Sequence, residues 1–273
     1  MAEPAGSERT ALIGHSGFIG SNIARQHDFD DVYNTSNIGD IAGREYGLVV
    51  SAAGRADSHR INQVADEDMA ELDHYAELLS SVSIGKLVHV STVCVFDSAD
   101  RCDEHTVSDS AALTPYGRNR RQLERTLADR FDSLSLRLPQ LFGPGIKKGL
   151  VYDLANDYRI EFIRPDGIFQ YYDLTRLWSD IEVALGAGLS VLNMATEPVQ
   201  HQRLAQEVFD IDLSVNGSIE ESPFAAMYTR NMITEHADLF GGSGDYIMSV
   251  DDEMDAIRRF VETEFGRSAG VVS

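Results

Sequence analysis

Short apolar runs alternate with amphipathic stretches along the first half of the chain. The apolar runs predict five buried strands, which are TALIG, DVYNTS, YGLVVSAAG, KLVHVSTVCVF and SLSLRLP. Between them, FIGSNIARQ, residues 61–81 and YGRNRRQLERTLADRF have the spacing of helices. Strands that alternate with helices indicate a mainly parallel sheet covered on both faces. We therefore expect an α/β fold with a doubly wound, Rossmann-type parallel sheet.

The pattern changes after LFGPG, where shorter and more mixed segments begin. They are LVYDLANDY, IEFIRPDGIFQYY, TRLWSDIEVALGAG, VLNMAT, RLAQEVF and a final helix from about Val250 to Phe265. No Ser/Gly-rich linker precedes them. The sequence thus predicts a first domain over residues 8–145 and a smaller mixed α/β lobe over residues 146–273, partly integrated with the first domain.

Three glycines spaced by threes, Gly14, Gly17 and Gly20, connect the first strand to the first helix. In a doubly wound sheet this is the position of the dinucleotide-binding fingerprint. The first glycine permits the turn, the second lets the backbone approach a pyrophosphate, and the third allows close helix–strand packing. Ser16 adds a hydroxyl donor to the N–H groups of the helix start. We expect a dinucleotide site here, and the alternative is a glycine turn without a ligand.

The end of the second strand bears on the choice between NAD and NADP. NAD-binding proteins of this fold place an Asp or Glu there for the ribose 2′-hydroxyl. This chain has Asn34 and Ser36, and its next carboxylate is Asp40. The missing carboxylate favours NADP over NAD, but no arginine for a 2′-phosphate stands beside it, so both cofactors remain candidates.

A hydroxyl, a phenol and a cation follow the fourth strand. Thr92 ends that strand, and Tyr116 and Arg120 stand four residues apart on the arginine-rich helix, which places them on one face. A fixed cation favours phenolate and lowers the pKa of a phenol. We expect Tyr116 to be the proton donor, Arg120 its electrostatic partner and Thr92 the group that holds the substrate oxygen.

Five short motifs follow one another along the chain in an order that is typical of one protein family. They are GHSGFIG, SAAG, VSTVCVF, YGRNR and RLPQLFGPG, followed by QYYDLTRLWSDIEVAL. Over nearly its whole length the chain resembles the extended short-chain dehydrogenases/reductases of the NAD-dependent epimerase/dehydratase family. The resemblance implies a dinucleotide-binding first domain, a substrate-binding second lobe, and Thr92, Tyr116 and Arg120 as the catalytic residues.

The resemblance also implies a set of ligand-binding residues. The cofactor residues would be Gly14, Ser16, Gly17, Phe18, Ile19, Gly20, Asn34, Ser36, Asp40, Ala52, Ala53, Gly54, Ser91, Pro139 and Leu141. The substrate residues would be Cys94, Gln140 and Phe142. Cys94 stands at a place similar to the catalytic cysteine of GDP-fucose synthases, whereas its alternative role is that of a small buried apolar residue.

Two departures from the family pattern narrow the reaction. Arg120 stands where the family has lysine; it keeps its charge but is bulkier and cannot lose a proton. Val93 and Cys94 stand where the family's dehydratases have an Asp-Glu pair, which argues against elimination of water by that route. We expect an NAD(P)-dependent oxidoreductase or epimerase acting on a hydroxyl or keto group, with a nucleotide sugar as substrate. The alternatives are a cofactor-binding protein with little turnover and a natural-product tailoring reductase.

Composition limits the partners. The net charge of −21 disfavours nucleic acid, because a phosphate backbone would be repelled. Two cysteines form no disulfide framework, and no histidine or cysteine spacing suggests a metal site. No apolar run reaches membrane-spanning length and the N-terminus has no apolar signal core, so we expect a cytoplasmic protein. The resemblance implies a homodimer that uses the helix at residues 116–130.

Overall fold

The computed structural model describes residues 8–98, 100–219 and 229–267. The strands are β1 Thr10–Ile13, β2 Asp31–Tyr33, β3 Glu45–Ser51, β4 Ser83–Thr92, β5 Asp100–Cys102, β6 Ser133–Leu138, β7 Gln140–Phe142, β8 Ile168–Phe169, β9 Tyr171–Asp173, β10 Val191–Asn193, β11 Val199–Gln200 and β12 Asn231–Met232. The helices are α1 Phe18–Ala24, α2 Ser58–Ile61, α3 Ala65–Ser80, α4 Pro115–Arg130, α5 Leu150–Ala155, α6 Leu177–Gly186, α7 His201–Phe209 and α8 Val250–Phe265.

The chain forms two compact units whose segments interleave along the sequence. The first unit comprises the residues up to 97, 107–137 and 177–192, and the second comprises 98–106, 138–176 and 193 onward. This division differs from the single boundary expected after residue 145. In particular, α6 returns to the first unit, where the Trp178 ring stacks on His27 at 3.8 Å and the Trp178 N–H donates to Gln26.

A six-stranded sheet with the order β10-β6-β4-β3-β1-β2 organises the first unit. The pairs β1–β2, β1–β3 and β3–β4 are parallel, with Ala11 level with Asp31 on one side and with Val49 on the other. The prediction of an α/β fold with a doubly wound parallel sheet is confirmed. The strand order changes direction between β1 and β3, and in such sheets ligands bind at the carboxyl ends of the strands at this switch point.

Apolar side chains of the central strands and of α3 and α4 form the core on one face of this sheet. It includes Val49, Leu79, Leu87, Leu123 and Leu127, each at most 1% exposed. The strand β6 is buried at every position, as expected for a strand covered on both faces. The helix expected over 61–81 is present as α3, which begins at Ala65, whereas Ile61 is the last residue of the separate short helix α2.

The second unit combines short strand pairs with three helices. β7 pairs with β9 and β5 with β12 in parallel, whereas β8 and β11 are antiparallel. The helices α5, α7 and α8 pack on one another. The expected helix at Val250 to Phe265 is confirmed as α8; Ser249 caps its start and Gly266, with a φ of +62°, ends it.

Candidate active site

The glycine loop folds as a tight turn after β1. Gly14 has a φ of +87°, and a Cβ there would lie 2.6 Å from the Ala52 carbonyl oxygen at the end of β3. A Cβ at Gly20 would lie 2.1 Å from the Gly14 carbonyl oxygen, so the third glycine is required by the turn itself. Both positions therefore exclude side chains for reasons internal to the fold.

Gly17 differs from the other two glycines of the loop. A Cβ there would meet only the Gly14 carbonyl oxygen, at 3.3 Å, and its φ of −79° suits any residue. It precedes α1 and lines a cavity of about 340 Å³. Gly17 is thus the loop glycine least constrained by its neighbours, and it lies on the cavity wall, where the glycine that faces a pyrophosphate is expected.

The cavity lies at the switch point of the sheet, where the loops after β1 and β3 meet. Its lining residues are Ile13, Gly14, Ser16, Gly17, Asn34, Thr35, Ile38, Ala52, Ala53, Gly54, Arg55, Asp68, Glu71, Leu72 and Tyr75. Seven of the expected cofactor residues are among them, and the glycine cradle, apolar walls and amide of Asn34 fit a dinucleotide. The lining residues that α3 supplies were not expected from the sequence, because no motif marks them.

Other expected cofactor residues of the first unit lie outside this lining. Phe18 and Ile19 are in the first turn of α1, and Asp40 is exposed in a short 3₁₀ helix. The Ser36 hydroxyl donates to the Asn34 carboxamide oxygen at 2.6 Å. The Ser91 hydroxyl donates to Glu124 at 2.5 Å, so it belongs to a buried cluster and not to the cavity wall.

Four expected ligand residues belong to the second unit. Pro139 is buried, and Leu141 and Gln140 lie on β7, with the Gln140 side chain exposed. Phe142 is fully buried and its ring packs against that of Phe260 at 5.6 Å between centroids. The Phe142 side chain is therefore a core residue, and the expectation that it contacts substrate is not met by its position.

The start of α4 fixes the position of Tyr116. Pro115 is at the first helical position, and the Thr114 hydroxyl caps the helix by accepting from the Gly117 N–H at 3.2 Å. The Tyr116 N–H donates to the Asn62 carboxamide at 2.9 Å. A Cβ at Gly117 would lie 2.0 Å from the Cys94 carbonyl oxygen, so this glycine lets α4 pack directly on the turn after β4.

The turn after β4 places Thr92 and Cys94 beside the phenol. The Thr92 hydroxyl accepts from the Cys94 N–H at 3.2 Å, and Cys94 is a half-buried free thiol. Burial raises the pKa of Tyr116 above its ordinary value, and Cys94 adds to this. The charge of Arg120 and polar contacts with Arg120 and Thr92 act in the opposite direction, and burial outweighs them.

Arg120 acts on the pKa of Tyr116 in the expected direction but does not determine the net shift. Its guanidinium carbon lies 4.6 Å from the centroid of the Tyr116 ring, and its charge does act to lower the pKa of the phenol. The net pKa is nevertheless raised, because the low-dielectric surroundings disfavour phenolate more strongly than one cation favours it. At neutral pH the phenol therefore keeps its proton.

The buried cluster that contains Ser91 is centred on Glu124, which lies further along α4 than Tyr116. Its carboxylate accepts hydrogen bonds from Ser91, from Arg121 and twice from Arg137, at 2.5 to 3.1 Å. Burial would raise the pKa of Glu124, but the charge of Arg137 and these hydrogen bonds outweigh it and hold the pKa below its usual value. The cluster ties α4 to β4 and β6.

No protein-family model and no curated protein sequence matches the chain. Among solved structures, the NAD-dependent NDP-hexosamine 5,6-dehydratase TunA of tunicamycin biosynthesis is similar, with 16% identity, a TM-score of 0.73, and coverage of 96% of this chain and 99% of that chain. The dTDP-4-dehydrorhamnose reductase of Bacillus anthracis, solved with NADP, has 16% identity, a TM-score of 0.71 and coverage of 93% and 98%.

A third similar structure is the UDP-glucose 4-epimerase of Thermotoga maritima, with 14% identity, a TM-score of 0.69, and coverage of 93% of this chain and 97% of that chain. Identities at this level establish a shared fold. The fold expected from the sequence, a doubly wound parallel sheet with a smaller mixed lobe, is confirmed, because the chain shares it with these structures. Within the described ranges, no helix is both long and apolar enough to cross a membrane.

Proposed function

We propose that this protein is an NAD(P)-dependent oxidoreductase or epimerase that acts on a hydroxyl or keto group of a nucleotide sugar. The observation that carries the proposal is the placement of Tyr116. It stands beside Thr92 and against Arg120, and Arg120 in turn contacts Asp68 and the Arg55 carbonyl, which line the glycine-loop cavity. A buried phenol and the cavity of the glycine loop are thus linked within one unit.

The proposed division of labour follows from the geometry. The bound dinucleotide would supply hydride chemistry at its nicotinamide ring. Gly14, Gly17 and Ser16 would hold its phosphates, and Asn34 would face its adenosine ribose. Tyr116 would give its proton to the substrate oxygen in reduction and take it back in oxidation, while Thr92 orients that oxygen.

Tyr116 is protonated at neutral pH, as an ordinary phenol is, and this is the form that the reducing direction needs. A phenol that stays protonated at neutral pH can donate a proton to a carbonyl oxygen as it gains electrons. The positive charge of Arg120 then stabilises the phenolate that remains. The similar structures include a reductase and an epimerase of nucleotide sugars, which supports the substrate class.

The first experiment is a fluorescence titration of the purified protein with NADH and with NADPH. Wild type is compared with Gly17→Val and with the control Gly186→Val, whose glycine has open space around it and no positive φ. We expect micromolar binding of one dinucleotide, with NADPH favoured by Asn34, and at least a tenfold loss in Gly17→Val alone. No binding of either dinucleotide to wild type would refute the proposal.

Turnover separates the enzyme from a cofactor-binding protein. The second candidate is supported by one observation, namely that both terminal nitrogens of Arg120 are engaged by other groups. Tyr116→Phe should retain dinucleotide binding and lose at least 10²-fold in kcat for a 4-keto nucleotide sugar. Unchanged function in Tyr116→Phe would favour the cofactor-binding protein.

We further propose that the protein is cytoplasmic and that it forms a homodimer through the exposed face of α4. Size-exclusion chromatography with light scattering measures the molar mass and so tests the dimer.

A further inference from the structure

Asp68 is a buried carboxylate that no sequence motif marks. It lies in the first turn of α3 and lines the glycine-loop cavity, although only 5% of its side chain is exposed. An ionised carboxylate at such a place must be satisfied by donors, because burial without partners is costly. Its three donors all come from α4, and they identify what the residue does.

Both oxygens of Asp68 are engaged. Oδ2 accepts from Arg120 Nη1 at 2.9 Å and from Asn119 Nδ2 at 2.9 Å, and Oδ1 accepts from Arg120 Nη2 at 3.0 Å. Two parallel bonds between a guanidinium and a carboxylate fix the plane of the guanidinium as well as its position. Arg120 Nη2 also donates to the Arg55 carbonyl at 2.9 Å.

The plane fixed in this way is the one that lies over the Tyr116 ring. The guanidinium carbon is 4.6 Å from the ring centroid, and the Arg120 side chain is only 6% exposed. With both terminal nitrogens held, the guanidinium cannot turn toward the cavity without breaking the paired bonds. Its effect on Tyr116 is therefore that of a charge held at one orientation.

We propose that Asp68 is a positioning residue, which holds the Arg120 guanidinium against the face of Tyr116 and so sets the proton-donor strength of that phenol. The consequence for catalysis rests on the proposed function, whereas the contacts themselves involve only the side chains of Asp68, Arg120 and Tyr116. A lysine at position 120 could not be held in this way, since an ammonium has no planar fork to match a carboxylate. The pairing thus accounts for an arginine at this site.

The groups that face the phenol define the test. They are Arg120 from α4, and Thr92 and Cys94 from the turn after β4. Asp68 can act on the phenol in two ways: its own negative charge opposes phenolate, and its paired bonds keep the positive charge of Arg120, which favours phenolate, beside the ring. Removing Asp68 should therefore lower the pKa of the phenol by removing a negative charge and raise it by releasing Arg120, and a comparison with and without Arg120 separates the two effects.

The experiment places 3-fluorotyrosine at position 116 and follows its ¹⁹F resonance against pH, without cofactor or substrate. Variants are Asp68→Asn, Arg120→Met, the double variant, and the control Glu71→Gln. Glu71 lines the same cavity, but its ion pair with Arg55 is more than half exposed on both sides. This readout is independent of turnover and of dinucleotide binding, so it separates this inference from the proposed function.

We expect Arg120→Met to raise the titration midpoint and Glu71→Gln to leave it unchanged. In the Arg120→Met background, Asp68→Asn removes only the charge of the carboxylate and should lower the midpoint; with Arg120 present it also releases the guanidinium, so its shift should lie about one pH unit higher than in that background. A shift on Asp68→Asn that is the same with and without Arg120 overturns the proposal. If Asp68→Asn does not fold, Asp68→Ser admits water beside the guanidinium and is judged by the same criteria.

Discussion

The contribution of one buried carboxylate, Glu124, to the free energy of unfolding can be measured. Glu124→Gln keeps the shape of the side chain but removes its charge, and it turns an NH₂ group toward the donors of Arg121 and Arg137. The carboxylate is 3% exposed and Arg137 is 1% exposed, so water cannot replace what is lost. Breaking a buried ion pair by altering one partner costs about 3–5 kcal/mol.

The predicted loss is therefore about 4 kcal/mol of the free energy of unfolding, a large share of the roughly 5–15 kcal/mol typical of a folded protein. The control is Asp132→Asn. This variant removes the ion pair between Asp132 and Lys86, in which the Asp132 carboxylate is 73% exposed, and it should cost about 0.5 kcal/mol. A double variant, Glu124→Leu with Arg137→Met, should recover at least half of the loss, because it removes the unpaired charge as well.

Urea unfolding followed by tryptophan fluorescence measures this loss. The chain has one tryptophan, Trp178, which belongs to the same unit as Glu124. The pKa of Glu124 is held below its ordinary value, so its contribution is present above pH 4.5 and disappears as the pH falls through the folded-state value. A loss below about 1 kcal/mol at pH 7, or one no larger than that of Asp132→Asn, would refute the reasoning.

Three further predictions concern other buried groups. Burial lowers the pKa of His201 to about 4 from 6.5, so this histidine should cost up to about 3 kcal/mol of stability as the pH falls from 6.5 to 4. Burial lowers the pKa of His89 to the same value, so His201→Asn should flatten the pH slope in part, and an unchanged slope contradicts the assignment. Burial raises the pKa of Glu253, which costs stability as the pH rises above 4.5. Glu253→Gln should thus raise Tm more at pH 8 than at pH 5, and equal shifts at both pH values speak against it. Gly117→Ala should cost about 2 kcal/mol or more in urea unfolding, because its Cβ would meet the Cys94 carbonyl oxygen at 2.0 Å, whereas Gly186→Ala should not destabilise; parity between the two variants contradicts the packing argument.

The sequence by itself was sufficient for five of the six strands of the sheet and for the glycine loop, whereas β10 was expected in the second lobe. Period and spacing are local properties, and β1, β3, β4 and β6 lie where their apolar runs predict them. Gly14 and Gly20 are required by the turn that they form, which is why three glycines in this order identify it. The i, i+4 spacing likewise placed Tyr116 and Arg120 on one face of α4.

Only the tertiary structure decided what those residues contact. Asp68 lies 52 positions before Arg120, and nothing local to either residue predicts their forked pair. Phe142 and Ser91 have the positions of ligand residues in a motif, yet one packs in a core and the other donates to Glu124. The physical reason is that burial, and with it the pKa of Tyr116, depends on groups from distant segments, whereas a motif records only its own neighbours.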